Sequence, residues 1–340
     1  MLAEMAMQGG SAHRSRQRIA LLAGLVLLAV LALVSCCVGT RTLPLSVTWQ
    51  AVQAFDPGNS DHLLVRLLRI PRTLIAIVVG VALGAAGAVM QALTRNPLAD
   101  PGLLGINAGA ATAITVAVVA FGITDVTGYL WCGLIGAALA GAGVYLLGGV
   151  DPVRLVLAGV ALTVVLQALT QVILLNSDEA VYDQFRHWSV GSLQGRGMAV
   201  FWPVAVATLL GSALALSLAR PLDAVVLGED LGHALGAHPL RVWSLAMLAV
   251  VVLAGAATAA AGPLAFVGLA APHVARRIVG PAHRVLMPAS MLIAALLLLA
   301  ADVLGRVIAW PSEIGVGIMA ALIGGPCFVA LARQRRIAHL

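Results

Sequence analysis

The sequence contains no lysine. All twenty of its Lys/Arg positions are arginine, and a phosphate-binding loop of the GxxxxGK[ST] type needs a lysine to reach the phosphates, so this chain cannot itself be a P-loop ATPase. Charge is scarce altogether: 10% of the 340 residues are Asp, Glu, Lys or Arg, and 4% are aromatic. Soluble globular domains carry roughly 25% charged residues, and this chain has too little polar surface to coat one. The eight histidines fall in loops or at segment ends without an HExxH pair, and no serine sits in GxSxG. Those absences argue against metalloprotease and serine-hydrolase chemistry. The four cysteines, Cys36, Cys37, Cys132 and Cys327, lie in or beside apolar stretches without metal-ligand spacing and read as small packing residues.

What is abundant is apolar sequence, 61% of the chain. Segments of about 20 apolar residues, the length a helix needs to cross roughly 30 Å of hydrocarbon, recur from end to end. They lack strict apolar/polar alternation, so helices rather than a barrel are expected. Ten candidate spans fall near 19–38, 73–93, 103–121, 128–149, 153–175, 199–219, 241–261, 263–275, 285–304 and 314–332. The eighth is too short to cross a bilayer straight, and hydropathy alone leaves nine or ten. The first is too long and apolar for a signal-peptide core and reads as a spanning helix. The expectation is an all-α polytopic membrane protein: a flexible basic tail over 1–18, one transmembrane domain over 19–332 with a cytoplasmic loop at 220–240, and a basic C-terminus at 333–340. With both termini in the cytoplasm, thirteen of the twenty arginines fall inside, as the positive-inside rule asks. Arg41, Arg66, Arg69, Arg72, Arg186, Arg196 and Arg306 fall outside.

Three motifs stand close together: Arg69-Ile-Pro-Arg72, Gly87-Ala-Val-Met-Gln-Ala-Leu93 and Asn96-Pro-Leu-Ala-Asp-Pro-Gly102. They resemble the signature of the FecCD family, the permease subunits of ATP-driven importers for iron-siderophores, haem and vitamin B12, and the resemblance extends over about residues 40–332. It favours ten helices. It implies a bacterial cytoplasmic-membrane protein that pairs with a second permease subunit, two ATPase subunits holding ATP and magnesium, and an extracytoplasmic solute-binding protein. No cofactor is expected in the chain itself and no nucleic-acid partner. The segment Phe185-Arg-His-Trp-Ser-Val-Gly-Ser-Leu-Gln-Gly-Arg196 resembles the form common in ferric-siderophore permeases, and points to a ferric-siderophore cargo over vitamin B12 or haem.

The outer arginines Arg69, Arg72 and Arg306 cluster on a face biased against positive charge. Snorkelling to headgroups is one reading. The resemblance implies the other, that their guanidinium forks receive acidic residues of the binding protein, with Asp302 four residues before Arg306 as a supporting partner.

On the inner side, 220–239 is too polar to span. Leu227, Leu231 and Leu235 form a narrow apolar stripe, Gly228 precedes Glu229 and Asp230 at a helix start, and Gly236 makes a natural stop. The resemblance makes 223–238, from Asp223 onward, the coupling helix that contacts the ATPase, with Pro272–Arg277 as a second candidate contact.

Polar residues inside the spans are few, and each is a pathway candidate. Gln167 and Gln171 share a helix face with Thr163 one turn earlier and Thr170 adjacent. An interhelical hydrogen-bond ladder and a pore lining are both open readings of that face, and the resemblance favours the pore. Met90, Gln91 and Asn96, at the inner end of the second helix, are further candidates. An ion-coupled secondary transporter is the competing class, but it usually needs carboxylates at mid-membrane, and only Asp302 comes near.

Overall fold

The computed structural model describes residues 2–39, 41–123, 125–226 and 238–333, and among them there are helices and no strand. In chain order these are α1 (Leu2–Cys37), α2 (Leu45–Gln53) and α3 (Ser60–Leu63), which runs through a π-helical stretch, Leu64–Arg69, into α4 (Ile70–Leu93). A 3₁₀ turn, Pro101–Leu104, leads to α5 (Ile106–Phe121), α6 (Val126–Gly148), α7 (Pro152–Leu175), α8 (Glu179–Ser189), α9 (Met198–Ser217) and α10 (Ala219–Val226). Beyond the inner loop follow α11 (Pro239–Ala261), α12 (Val267–Val279), α13 (His283–Ile308) and α14 (Val316–Arg333). Residues 2–18, expected as a flexible tail, are helical backbone continuous with the first span.

Among the described residues, seven helices are long and apolar enough to cross a membrane; α5 and α14 are shorter apolar helices. With α12 they account for the ten segments. α12 has 13 residues, about 20 Å at 1.5 Å per residue, and cannot span alone. It starts after Phe266, whose φ of 67° turns the chain sharply, and it packs against α4, α13 and α14.

Local chemistry explains where the spans begin. Asp151 accepts from the backbone N–H groups of Val153 (2.8 Å) and Arg154 (3.1 Å) ahead of Pro152, and Asp125 accepts from Gly128 (2.7 Å). Each carboxylate satisfies amides that a helix start leaves unpaired, and proline at the first helical position loses no hydrogen bond.

The centre of the bundle is α4, with 78% of its span window buried, joined by α11 at 72% and α13 at 56%; α7 is only 11% buried. α4 reaches the middle because Gly80, Gly84 and Gly87 let neighbouring backbones touch it. A Cβ on Gly80 would lie 2.5 Å from Ala295 Cα, one on Gly84 would overlap the Ser290 carbonyl, and one on Gly87 would overlap that of Gly268. In a membrane such close packing, rather than escape from water, holds helices together.

Candidate functional site

The π-helical stretch and α4 deliver Arg69 and Arg72 to the outer end of the bundle, where α13 delivers Asp302 and Arg306. The structure brings all four together. Arg72 donates through Nε to Asp302 Oδ1 (2.9 Å) and through Nη1 to Glu313 Oε2 (2.7 Å). Arg306 Nη2 pairs with Asp302 Oδ2 at 3.0 Å, so one carboxylate with no exposed surface serves two guanidinium groups.

Arg306 also donates to the carbonyls of Ser35 and Val38 (2.9 Å each) and to Ser35 Oγ (2.6 Å). Arg69 donates to the carbonyls of Cys36 (2.9 Å), Cys37 (2.7 Å) and Arg41. Except for that of Arg41, these carbonyls lie in or just after the last turn of α1, where a helix leaves acceptors without partners in the helix, and a cation there also meets the negative end of the helix dipole. Arg69 and Arg306 are 5% and 3% exposed. Their donors are turned into the protein and engaged, and Arg72 alone is accessible enough to meet a partner, with Glu313 already on it. The three line a cleft of about 200 Å³ together with Glu313 and a fourth arginine, Arg196.

Arg196 is the site residue that the sequence reading passed over, although it stood among the outer arginines. Nothing in the linear sequence shows that it is buried.

A second site lies along α7. Gln167, Thr170 and Gln171 line a cavity of about 620 Å³ with Asn107, Trp188 and Pro263. Both glutamines are exposed. Thr170 Oγ1 is bonded to Thr112 Oγ1 (2.9 Å) and Leu166 O (2.8 Å), so it closes the wall rather than offering a free hydroxyl. Thr163 donates to Gly159 O (2.7 Å) and does not line this cavity. Met90 and Gln91 do not line it either: both are 0% exposed, and Gln91 spans α4 to α12, donating to Leu269 O (3.2 Å) and accepting from Arg276 Nη2 (3.3 Å). A helix face with glycines draws neighbours in, and Gln91 is sealed by them. Asn96 is exposed in the inner loop, its Oδ1 accepting from the Leu98 amide (2.9 Å).

At the inner side, Leu227, Gly228, Glu229, Asp230, Leu231, Leu235 and Gly236 lie outside the described residues. The approach to them is described. Asp223 Oδ1 accepts from the His283 backbone amide (3.2 Å) and meets His283 Nδ1 at 2.5 Å. Arg95, in a left-handed backbone conformation (φ 48°) that non-glycine residues rarely adopt, donates to Val225 O (2.9 Å). α10 is thus tied to the start of α13 and to the end of α4.

Glycine-dependent helical packing, a cavity with two glutamines along a sparsely covered span and charged clusters at opposite ends define a multi-pass membrane permease. The model of the FecCD transport family matches residues 27–334, and the chain belongs to that family as a permease subunit of type II ABC importers in the bacterial cytoplasmic membrane. It is 44% identical over 319 residues to the ferric enterobactin permease FepD of Escherichia coli (strain K12), covering 92% of this chain and 94% of FepD. It is 40% identical over 294 residues to YfiZ of Bacillus subtilis (strain 168), a probable siderophore permease, covering 84% and 87%. A solved ABC transporter chain of metal-chelate type, in an inward-facing conformation, superposes with a TM-score of 0.84 at 29% identity, covering 93% of this chain and 99% of that one.

Proposed function

We propose that the chain carries a ferric-siderophore across the cytoplasmic membrane by alternating access, with a second permease subunit seated along α7, a separate pair of ATPase subunits binding ATP and magnesium, and a solute-binding protein docking outside near Arg72. The observation that carries this reading is the α7 face: a 24-residue span left 11% buried, with two glutamines beside a cavity. Glutamine in contact with lipid is costly, so a second subunit and a hydrated path are the better occupants. The likeness to FepD supports an iron chelate as cargo over vitamin B12 or haem.

The test is uptake of iron-55 siderophores by cells carrying the intact importer, with labelled cobalamin and haem in parallel. Siderophore uptake alone is expected. Gln167→Leu with Gln171→Leu is expected to leave membrane abundance unchanged, because neither side chain packs inside the subunit. Uptake should fall about tenfold, the equivalent of roughly 1.4 kcal/mol of lost polar contact along the path. Uptake of cobalamin alone would refute the cargo assignment.

In this reading α4 and α13 move as one body. They pack against each other more extensively than any other pair; they share the Arg72, Asp302 and Arg306 cluster outside, and inside they clasp α10 through Arg95 and His283. Motion imposed on the loop after α10 would then reach the docking face without bending either helix. His283→Ala removes the imidazole arm of one of the two clasps and leaves only the backbone amide on Asp223. ATP hydrolysis by the assembled importer is expected to persist while siderophore moved per ATP falls several-fold, measured in proteoliposomes; an unchanged ratio would rule out the clasp.

A further inference from the structure

Among the described residues, the outer side holds two buried nitrogen donors without an acceptor, on Arg196 and Trp188. Arg196 is 8% exposed, its Nε has no acceptor, and among the described residues its guanidinium makes no ion pair. Trp188 is 3% exposed and its Nε1 likewise has no acceptor. Both line one cavity of about 550 Å³, with Tyr129, Asp183, Gln184 and His187. A buried charge without a partner is costly, and a buried donor left unmet is rare enough to need a reason.

Most of the other polar groups of this wall are engaged, the exposed Gln194 amide apart. Tyr129 donates its hydroxyl proton to Gln184 Oε1 (2.9 Å), Asp183 pairs with Arg186 (3.2 Å), and His187 Nδ1 meets the Asp183 carbonyl (2.8 Å). What is left over is donor in character and cationic. Its complement is an anionic oxygen.

The site is held rigidly. Trp188 sits in the last turn of α8, and Gly191 (φ 76°) then turns the chain against α14 and the end of α11, with Ser192 N donating to Ala261 O (2.8 Å) and Gly317 N to Gly191 O (3.2 Å). A Cβ on Gly317 would overlap the Val190 carbonyl, so the backbone is in contact there. Donors fixed in advance bind without paying to be ordered.

We propose that Arg196 and Trp188 form a subsite at the outer mouth of the path for the anionic oxygens, carboxylate or catecholate, of the metal chelate. The subsite rests on the reading of α7 as the path: Trp188 also lines the cavity of Gln167 and Gln171, so the two cavities are neighbours on either side of one residue. A cavity of this volume suits part of a small molecule. Its volume of about 550 Å³ favours that occupant over the acidic side chain of a docked protein, for which the 200 Å³ cleft shared by Arg196 and Arg72 is the better size.

The test uses full-length permease in lipid nanodiscs, titrated calorimetrically with citrate at constant ionic strength, so it needs neither transport nor the true cargo. Saturable binding is expected, weakened at least tenfold by Arg196→Gln and a few-fold by Trp188→Phe, which keeps the ring and removes the N–H. Arg41→Gln, at an arginine 65% exposed and paired with Asp61, is expected to change nothing. The unliganded thermal midpoint of Arg196→Gln should not fall, because the replaced charge has no partner; an arginine with a purely structural role would lower it. No citrate binding, or binding indifferent to Arg196→Gln, overturns the subsite. So does a citrate-blind wild type in which Arg196→Gln abolishes capture of the binding protein, since that result assigns the guanidinium to an acidic side chain. Because the assay measures binding alone, failure of the siderophore assignment in uptake would leave a positive citrate result standing.

Discussion

Asp302→Ala is expected to destabilise the permease by about 3–5 kcal/mol, the range for removing one partner of a buried ion pair, and to lower its thermal midpoint in nanodiscs accordingly. Asp302 has no exposed side-chain surface, and it neutralises Arg72 and Arg306 at once. Without it, two guanidinium groups face each other at 13% and 3% side-chain exposure with only Glu313, on Arg72, remaining as counter-charge. Arg306 would keep its bonds to the Ser35 and Val38 carbonyls, so α1 should stay attached while the α4–α13 junction loosens. Asp302→Asn preserves shape and one acceptor oxygen and should cost less. The double change Arg72→Met with Asp302→Leu should recover only part of the loss, because it removes one unpaired cation but leaves Arg306 buried without its counter-charge. Recovery of stability without recovery of uptake would separate the cluster's structural role from docking through Arg72. An unchanged midpoint for Asp302→Ala would show that the cluster is wetter than its burial implies.

That cluster also shows how far the sequence could be read. The meeting of Arg69, Arg72 and Arg306 was legible, because a positive charge on the outer face needs a reason and because Asp302 sits one helical turn before Arg306. The partners that occupy Arg69 and Arg306 were not. Apart from Asp302 and the Ser35 hydroxyl on Arg306, they are main-chain carbonyls of residues 35–38 and Arg41, which any residue type supplies, so no side chain marks them. The same limit applies to Gln91: periodicity places it on a face of α4 but does not say that α12 covers that face. The Asp-Pro start of α7 and the glycine spacing of α4 were legible since both follow from local geometry. The brevity of the eighth segment was visible in its length. Arg196 was hidden for the opposite reason to Gln91, because an arginine in a polar loop reads as solvated until the fold encloses it. For Gln167 and Gln171, spacing gave the shared face, and the cavity beside it came from α5, α8 and the chain around Pro263.

Gly84→Val is expected to cost about 3 kcal/mol or more, at or beyond the upper end for overpacking, because its Cβ would overlap the carbonyl of Ser290 and press on Ala294. A backbone carbonyl cannot turn aside like the tip of a side chain. α13 would have to withdraw from α4, and purified yield and thermal midpoint should both fall steeply. Gly143→Ala is the control: its Cβ would meet only Leu162 Cδ2 at 3.6 Å, and exchange of glycine for alanine inside a helix there should be neutral or stabilising by up to about 1 kcal/mol. Gly84→Ala is the informative intermediate. It separates the helices by less than valine does, but the two clusters that α13 carries depend on distances near 3 Å, Asp302 to Arg72 at one end and His283 to Asp223 at the other. If α4 and α13 transmit motion as one body, siderophore moved per ATP should fall in Gly84→Ala while most of the protein remains folded. If transport per ATP is unchanged in a folded Gly84→Ala whose α13 has measurably shifted, transmission runs through other helices, and the clasp on α10 only anchors the loop.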